Sequence, residues 1–264
     1  MLANLRQLYR YRALIRSLVA RDLQARYRGS VLGFLWSFVN PLLLLLIYSF
    51  VFTVVLPGIR PVTLEPYAVF MFCALLPWTW FSASLLESSG VLVSGGNLIK
   101  KVLFPAEVLP IVTVLANLVH FCFGLPILIG FLLWFGVPIV AGDLAWFPVV
   151  VLVQLVLTLG MALAVSALTV HFRDIRDLLQ NLLTFWFFAT PIIYPLEMAP
   201  APVQRALAFN PFTHLAVSYQ DVLFRAGPFT AWPRLLLLGA ASLVVLAAGY
   251  WVFDRLRDTF AEEV

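Results

Sequence analysis

The residues between Gly90 and Asn97 come nearest to a phosphate-binding loop, with the sequence GVLVSGGN. Gly90 and Gly95 stand at the spacing of a Walker loop, but Gly96 and Asn97 occupy the positions where that loop requires a lysine and a serine or threonine. Without the lysine, the segment lacks the side chain that reaches the β- and γ-phosphates of a nucleotide. We therefore expect that this chain does not hydrolyse ATP by itself.

Hydrolytic, metal and proton-relay chemistry also have little support in the sequence. It contains no HExxH or GxSxG motif and no Cys/His spacing typical of a metal site. His120, His171 and His214 are far apart, and His120 stands among apolar residues, where we expect a packed, hydrogen-bonded histidine. Glu87 and Glu107 fall near the ends of long apolar segments, whereas a proton relay would need carboxylates at their centres. The sequence therefore predicts no catalytic residue, no metal site and no cofactor in this chain.

A segment at residues 94–105 combines a glycine pair, two lysines and several apolar side chains before it ends at a proline. Its apolar side chains would suit a groove on a soluble partner, with the lysines meeting acidic residues at the rim. They would equally suit a turn at the lipid surface, along which the lysine side chains extend. The residue pattern leaves both interpretations open. The residues concerned are Leu98, Ile99, Lys100, Lys101, Val102, Leu103 and Phe104.

A second charged segment, residues 171–177, contains Arg173, Asp174, Arg176 and Asp177. The two aspartates would stabilise the N-terminus of a following helix, and the arginines would mark its cytoplasmic side. The same four charges would also be explained as an anchor that fixes the orientation of the chain in a membrane.

The amino-acid composition indicates the class of protein to which these segments belong. Of the 264 residues, 62% are hydrophobic and 11% are charged, whereas soluble domains are about one quarter charged. The chain is therefore an integral membrane protein. Cys73 and Cys122 both lie in apolar runs, so no disulfide framework is indicated. Seven arginines precede Gly29, so we expect no cleavable signal peptide.

Six apolar stretches are long enough, or nearly so, for the roughly 20 residues that a transmembrane helix needs. Only helices and closed barrels satisfy their backbone in lipid, and runs this continuous are typical of helices. We expect an all-α integral membrane protein with six transmembrane helices in one domain, residues 1–264. The predicted spans cover about residues 33–56, 67–91, 108–135, 146–170, 178–194 and 233–253.

Residues 1–28 interleave arginines with apolar side chains, most of which share one arc of a helix. This pattern predicts an amphipathic helix in the membrane interface rather than an arm that binds nucleic acid. With the N-terminus in the cytoplasm, thirteen lysines and arginines lie in the inner segments and four in the outer ones. The positive-inside rule therefore predicts that both termini, including a tail at residues 254–264, are cytoplasmic.

The last outer segment, residues 195–232, is too apolar for a free loop. Short helices tucked back into the outer leaflet or over a pore mouth would fit it, and so would simple packing on the outer ends of the spans. Tryptophans also stand midway along predicted spans, at Trp78, Trp80 and Trp186. Their rings would stack on sugars in a passage or pack between helices. The residue pattern leaves both pairs of alternatives open.

Several motifs together resemble a known family. The junction between the basic N-terminal region and the first apolar run contains Arg26, Tyr27, Ser30, Leu32, Gly33, Trp36 and Pro41. The sequences NLIKKVLFP at 97–105, FRDI at 172–175, PIIYP at 191–195 and NP at 210–211 follow in order. This set resembles the permease subunits of type-2 ATP-binding-cassette exporters, specifically the branch that exports polysaccharides and polyol phosphates (O-antigen, capsule, teichoic acid). The resemblance covers nearly the whole chain.

The resemblance implies a half-transporter that forms a homodimer, with a separate ATPase subunit on each copy that binds ATP and Mg. It implies that residues 94–105 form a coupling helix against the ATPase, which the N-terminal helix also touches. The pore would lie at the dimer interface, chiefly between spans one and five, and short re-entrant helices after span five would gate its outer end.

The site residues implied by the resemblance fall into four groups. The coupling residues are Leu98 to Phe104, and the cytoplasmic turn is formed by Arg173 and Asp174. The elbow after the interface helix comprises Arg26, Tyr27, Gly29, Gly33 and Trp36. The pore and gate candidates are Phe34, Trp36, Phe185, Trp186, Tyr194 and Pro195.

The function implied is that of the membrane subunit of an ATP-driven exporter, which moves a lipid-linked, O-antigen-like polysaccharide across a bacterial inner membrane. Such a chain meets membrane lipids, the glycan and its ATPase, and no nucleic acid. Exporters of drugs or lipids share the architecture and are the first alternative. An ion-coupled secondary transporter and a membrane-embedded glycan enzyme are the others, and both would need polar groups that the spans do not offer.

Overall fold

The computed structural model describes residues 11–55, 64–96, 105–138 and 140–263. All regular structure within these ranges is helical, and the prediction of an all-α protein is confirmed there. The helices are α1 (Arg12–Tyr27), α2 (Trp36–Phe50), α3 (Tyr67–Ser94), α4 (Val108–Trp134), α5 (Ala141–Leu144), α6 (Phe147–His171), α7 (Ile175–Phe188), α8 (Ala201–Leu207), α9 (Pro211–Leu223), α10 (Trp232–Leu256) and α11 (Phe260–Glu263). Single 3₁₀ turns lie at Gly33–Leu35, Leu196–Met198 and Arg257–Thr259, and α2 runs on into a π-helical turn at Val51–Val55.

Within the described residues, four helical stretches are long and apolar enough to cross a membrane: Tyr67–Ser94, Val108–Trp134, Ala141–His171 and Trp232–Thr259. The two other predicted spans coincide with shorter helices. Helix α2 has 15 residues and α7 has 14, and 14 residues at 1.5 Å each extend only about 21 Å against a hydrocarbon core of about 30 Å. The chain is thus a helical protein with several membrane-length helices, and the six-span arrangement remains a prediction.

Helix α7 ends earlier than the predicted span around it, which reaches residue 194. Its last residue is Phe188, three positions before Pro191. Proline has no N–H to donate and its ring clashes with the preceding turn, so a helix ends before it. The chain continues from Ala189 to Pro195 without helical structure. This irregular stretch becomes part of the candidate site.

Helix α3 is the centre of the fold. The share of buried residues in its most apolar stretch is 78%, compared with 22% in α10, which lies at the periphery. Helices α4, α6 and α9 pack against α3, and α10 packs on α6. The last contact is close because Gly160 of α6 faces Gly249 of α10, where an added Cβ would collide with the opposite backbone. The core therefore consists of α3, α4 and α6, and α1, α2 and α7 lie around it.

Mid-span aromatic rings fill much of this core. Trp78 is 5% exposed and lies within 6.2 Å of the rings of Trp186, Phe187 and Phe212. Trp80 is 2% exposed and donates its indole N–H to the carbonyl oxygen of Val114 at 3.2 Å. Of the two interpretations of the mid-span tryptophans, packing between helices therefore holds for Trp78 and Trp80.

Candidate functional site

A tight elbow joins α1 to α2. Gly29 has a φ of +81° and Gly33 a φ of +49°, both in the left-handed region that L side chains rarely adopt. An added Cβ would meet no atom within 4 Å at either position, so the backbone angle rather than lack of space calls for glycine. Trp36 donates its indole N–H to Ser30 Oγ at 3.0 Å across the turn. The predicted elbow thus has a local cause in the two glycines.

Just before the elbow, Arg26 attaches the end of α1 to two core helices. Its Nη1 and Nη2 donate to Oε1 and Oε2 of Glu87 in α3, at 3.0 and 2.6 Å. Nη1 also reaches Oδ1 of Asn117 in α4 at 3.3 Å, and Asn117 Nδ2 donates to Glu87 Oε2 at 2.8 Å. Arg26 Nε donates to Asp22, one turn earlier in α1, at 2.9 Å. We call this set of four residues the inner junction.

The inner junction is partly accessible rather than sealed. The side chains of Arg26 and Glu87 are 27% and 39% exposed, and Asn117 is buried. Desolvation works to lower the pKa of the Arg26 guanidinium, but the hydrogen bonds and charges of Glu87 and Asp22 outweigh it and raise that pKa above its ordinary value. Arg26 therefore stays charged, and a displacement of α1 must move or break a charged contact with α3.

Apolar contacts place α1 against the start of α4. Leu18 of α1 packs on Val108 and Val112 of α4. The end of α3 at Ser94 and the start of α4 at Val108 border the segment predicted to couple to an ATPase. Its predicted contact residues, Leu98 to Phe104, lie outside the described residues. The described flanks place the two ends of that segment on the same side of the core as α1.

The charged turn before α7 lies near the C-terminal part of the chain. Asp174 is the residue before the first turn of α7, and Asp177 lies within that turn. The side chain of Asp174 accepts no capping hydrogen bond there. Arg173 and Asp174 are both exposed. A contact of 2.9 Å between His171 Nε2 and Thr259 Oγ1 holds the turn to the end of the chain.

One face of α7 is exposed and mixes polar with aromatic side chains. Leu179 and Leu183 are buried, whereas Phe185 and Phe188 are 70% and 59% exposed. The exposed polar residues of the same helix are Arg176, Asp177, Gln180, Asn181 and Thr184, and Leu178 and Leu182 are exposed as well. Amide groups are costly to expose to hydrocarbon, so this face suits a surface in contact with water. We call it the α7 face.

Asn210 fixes the irregular segment after α7. Its Oδ1 accepts hydrogen bonds from Trp186 Nε1 at 2.7 Å and from the backbone N–H of Phe212 at 2.9 Å. Its Nδ2 donates to the carbonyl oxygen of Ala189 at 2.9 Å and to Thr190 Oγ1 at 3.0 Å. Asn210 thus caps α9 and at the same time binds the end of α7.

The other gate candidates lie in the same region. Tyr194 is half-buried and donates its hydroxyl to the carbonyl oxygen of Phe188 at 3.2 Å, and Pro195 is buried. Gln220 of α9 donates to the carbonyl oxygen of Pro191 at 3.1 Å. The segment between α7 and α8 is therefore held by Gln220 of α9, by Asn210 just before α9, and by the contact of Tyr194 with the end of α7.

An ion pair joins the segment after α7 to the end of α9. Arg225 donates from Nη1 and Nη2 to the two oxygens of Glu197, at 2.6 and 2.9 Å. The Arg225 hydrogen bond lowers the pKa of Glu197. Burial raises the pKa of Asp221, whose carboxylate lies 3.5 Å from Arg225 Nε, to about 6. The ion pair between Glu197 and Arg225 links the 3₁₀ turn at Leu196–Met198 to the end of α9.

Among the predicted site residues, those of the elbow and those of the gate form two separate groups, and Arg173 and Asp174 lie apart in the turn before α7. Arg26, Gly29, Gly33 and Trp36 meet at the elbow, with Tyr27 as the last residue of α1 and Phe34 in the 3₁₀ turn. Phe185, Trp186, Tyr194 and Pro195 meet at the end of α7. Sequence reasoning missed the partners Glu87, Asn117, Asn210 and Gln220. A lone glutamate in the apolar sequence of α3 was the available signal for the first of these.

Comparison with known proteins gives a consistent result. A family model described as ABC-2 type transporter matches residues 13–224. The chain is 42% identical over its whole length, and over the whole length of the relative, to an O-antigen export system permease protein RfbA of Myxococcus xanthus. It is 31% identical to a protein of the same name from Klebsiella pneumoniae, over 92% of this chain and 91% of that one. The polysialic acid transport protein KpsM of Escherichia coli is 24% identical over 92% of this chain and 93% of its own.

Proposed function

The chain belongs to the ABC-2 type transporter family, and from this premise we propose that it is the membrane subunit of an ATP-driven exporter of a lipid-linked, O-antigen-like polysaccharide. The proposed substrate class rests on the 42% identity of this chain, over its full length and that of the relative, to a permease named for O-antigen export. The membrane concerned is the bacterial inner membrane. Drug or lipid export is the alternative within the same family.

The α7 face is the part of this chain best suited to line the glycan passage. Its amides and hydroxyl, Gln180, Asn181 and Thr184, offer hydrogen bonds to sugar hydroxyls, and the exposed rings of Phe185 and Phe188 offer surfaces for the C–H faces of sugars. A polymer must slide rather than bind, and a row of weak, similar contacts allows this. Two copies of the chain would enclose the passage between their α7 faces and the exposed residues of α2.

In this proposal the chain crosses the membrane six times. Helix α2 with its π-helical turn serves as span one, and α7 with residues 189–195 serves as span five. Both termini are cytoplasmic, and α8 and α9 form an outer gate that Asn210 and the Glu197–Arg225 pair hold closed. Placing thirteen of the seventeen lysines and arginines on the cytoplasmic side supports this orientation.

Energy comes from a separate ATPase subunit, which binds ATP and Mg, on each copy of the chain. Residues 94–105 and α1 form the contact surface for that subunit. The apolar residues Leu98 and Ile99 would enter a groove on it, and Lys100 and Lys101 would meet its acidic rim. Movement of α1 would reach the spans by two routes, through the elbow into α2 and through the inner junction into α3 and α4.

The test is complementation in a bacterium that lacks its own O-antigen export permease. The chain is expressed together with its cognate ATPase, and surface glycan is measured with an antibody or lectin on intact cells. We expect surface glycan with the active ATPase and none when the Walker lysine of that ATPase is replaced. Leu98→Asp combined with Ile99→Asp should also abolish export and ATPase binding while membrane insertion persists. Surface glycan that persists with the inactive ATPase would contradict the proposal.

A further inference from the structure

A cavity of about 590 Å³ lies between α2 on one side and α3 and α4 on the other. This volume is within the range of small-molecule sites, about 300–1,000 Å³. Arg26, Glu87 and Asn117 of the inner junction line one end of the cavity. The feature is separate from the α7 face and from the outer gate, and it shares Arg26 and Trp36 with the elbow. We call it the α2 cleft.

The polarity of the α2 cleft changes along its length. At the inner junction it presents a guanidinium, a carboxylate and an amide, together with the imidazole of His120 and the exposed Asn40. Further along, the walls are apolar, with Leu43, Leu44 and Ile47 of α2 facing Leu76 of α3. A cleft with one polar and one apolar end fits an amphiphile with a headgroup and a chain.

The length of the α2 cleft matches one leaflet of a bilayer. Leu76 and Glu87 line its two ends on α3, and eleven residues of helix extend about 16 Å. Half of a hydrocarbon core of about 30 Å is about 15 Å. In the orientation given by the positive-inside rule, the polar end lies at the cytoplasmic surface and the apolar end at the middle of the membrane.

The charges at the polar end indicate the type of headgroup. The described contacts of Arg26 use four of the five N–H donors of a guanidinium, and its side chain is 27% exposed, so one donor can reach a phosphate. Two carboxylates contact this guanidinium: Glu87, which lines the cleft and is 39% exposed, and Asp22, which is 40% exposed and lies outside the cleft lining. The excess negative charge favours a cationic group with N–H donors next to the phosphate.

We propose that the α2 cleft binds one phospholipid of the inner leaflet whose headgroup carries a primary ammonium, the class of phosphatidylethanolamine. The phosphate contacts Arg26, the ammonium lies between Glu87 and Asn40, and one acyl chain follows Leu43, Leu44 and Ile47 toward Leu76. The bound lipid would fill the space between α2 and the core. The inference goes beyond export, because binding requires neither ATP nor a glycan.

The experiment is native mass spectrometry of the purified, delipidated full-length chain in detergent. Phosphatidylethanolamine, phosphatidylcholine and phosphatidylglycerol with identical acyl chains are titrated separately. We expect one phosphatidylethanolamine per chain with at least tenfold tighter binding than phosphatidylglycerol. Phosphatidylcholine should fall between the two, because it keeps the positive charge but has no N–H to donate. Equal binding of all three lipids, or stronger binding of phosphatidylglycerol, would overturn the proposal.

Two variants and a matched control locate the lipid. Ala83→Phe places a ring in the cleft, one turn from Glu87, and should remove the bound lipid without lowering the melting temperature of the lipid-free chain. Leu43→Trp fills the cleft from the opposite helix, and it replaces Ala83→Phe as the cleft variant if Ala83→Phe does not fold. Ala241→Phe makes the same change at an exposed position of α10 and should keep the lipid. Retention of the lipid by a folded cleft variant, or its displacement by a polyprenyl phosphate at lower concentration, would contradict a phospholipid site.

Discussion

The ion pair between Arg26 and Glu87 gives the sharpest quantitative prediction. We consider Arg26→Gln, Glu87→Gln and the double variant, which remove the charges; Glu87→Gln keeps the size of the side chain and Arg26→Gln shortens it. A charged hydrogen bond contributes about 1.5–3 kcal/mol when it is well buried, whereas exposed ion pairs contribute about 0.2–1 kcal/mol. Because Arg26 and Glu87 are 27% and 39% exposed, the contact must be discounted for solvent. We expect a coupling energy of about 1 kcal/mol.

The assay is a double-mutant cycle on the free energy of unfolding of the purified chain in mixed detergent micelles. Arg257 and Asp254 provide an exposed control pair at the C-terminal end of α10, since they are 47% and 46% exposed and make a 3.1 Å contact three residues apart. For that pair we expect a coupling of about 0.3 kcal/mol. A coupling below about 0.3 kcal/mol for Arg26 and Glu87 would refute the reasoning that this ion pair attaches α1 to the core.

Three further predictions follow from the described contacts. Gly29→Val and Gly33→Val each place a β-branched side chain at a positive φ, at a cost of about 1–3 kcal/mol. Both variants should reduce export while the partner continues to hydrolyse ATP. The control is Gly130→Val, at an exposed helical position with no atom within 4 Å of an added Cβ, which should leave the ratio of export to hydrolysis unchanged. Asn210→Ala removes contacts with Trp186, Ala189, Thr190 and Phe212 and should lower stability by about 2 kcal/mol in thermal unfolding. Asn210→Asp keeps the acceptor for Trp186 and Phe212 but sets an oxygen against the carbonyl oxygen of Ala189, so it should not restore that stability. The pKa of Asp221 in the folded chain, about 6, exceeds its ordinary value of 3.8, so between these pH values the folded chain binds a proton that the unfolded chain has lost. The free energy of unfolding should therefore fall by about 2 kcal/mol as the pH rises from about 4 to 6. An equal fall in Asp221→Asn would assign the pH dependence to another group.

The sequence predicted the parts of this protein that depend on local pattern. The all-α class follows from long apolar runs, and the elbow follows from Gly29 and Gly33, which both adopt positive φ. The end of α7 at Phe188 was predicted too late, at residue 194, although Pro191, three residues after Phe188, was an available signal.

Long-range pairing was not predictable in the same way. Glu87 looked like a carboxylate near the end of an apolar run, and only the fold brings Arg26, 61 residues away, into contact with it. Asn210 similarly binds Trp186, 24 residues earlier in the chain. These contacts depend on which helices become neighbours. Hydrophobic periodicity indicates which face of a helix is buried, but it does not indicate which other helix covers that face. The mid-span tryptophans show the same limit, since Trp78 and Trp186 pack on each other and the sequence does not indicate that their helices are neighbours.

The most direct measurement of the central claim is translocation into sealed inside-out membrane vesicles that contain this chain and its ATPase. A lipid-linked glycan is added to the outer, originally cytoplasmic side, and its protection from a glycan hydrolase is followed over time. The account predicts protection that requires ATP, persists when the proton gradient is collapsed, and disappears with the Walker-lysine variant of the ATPase. Protection that depends on the proton gradient and not on ATP would contradict it.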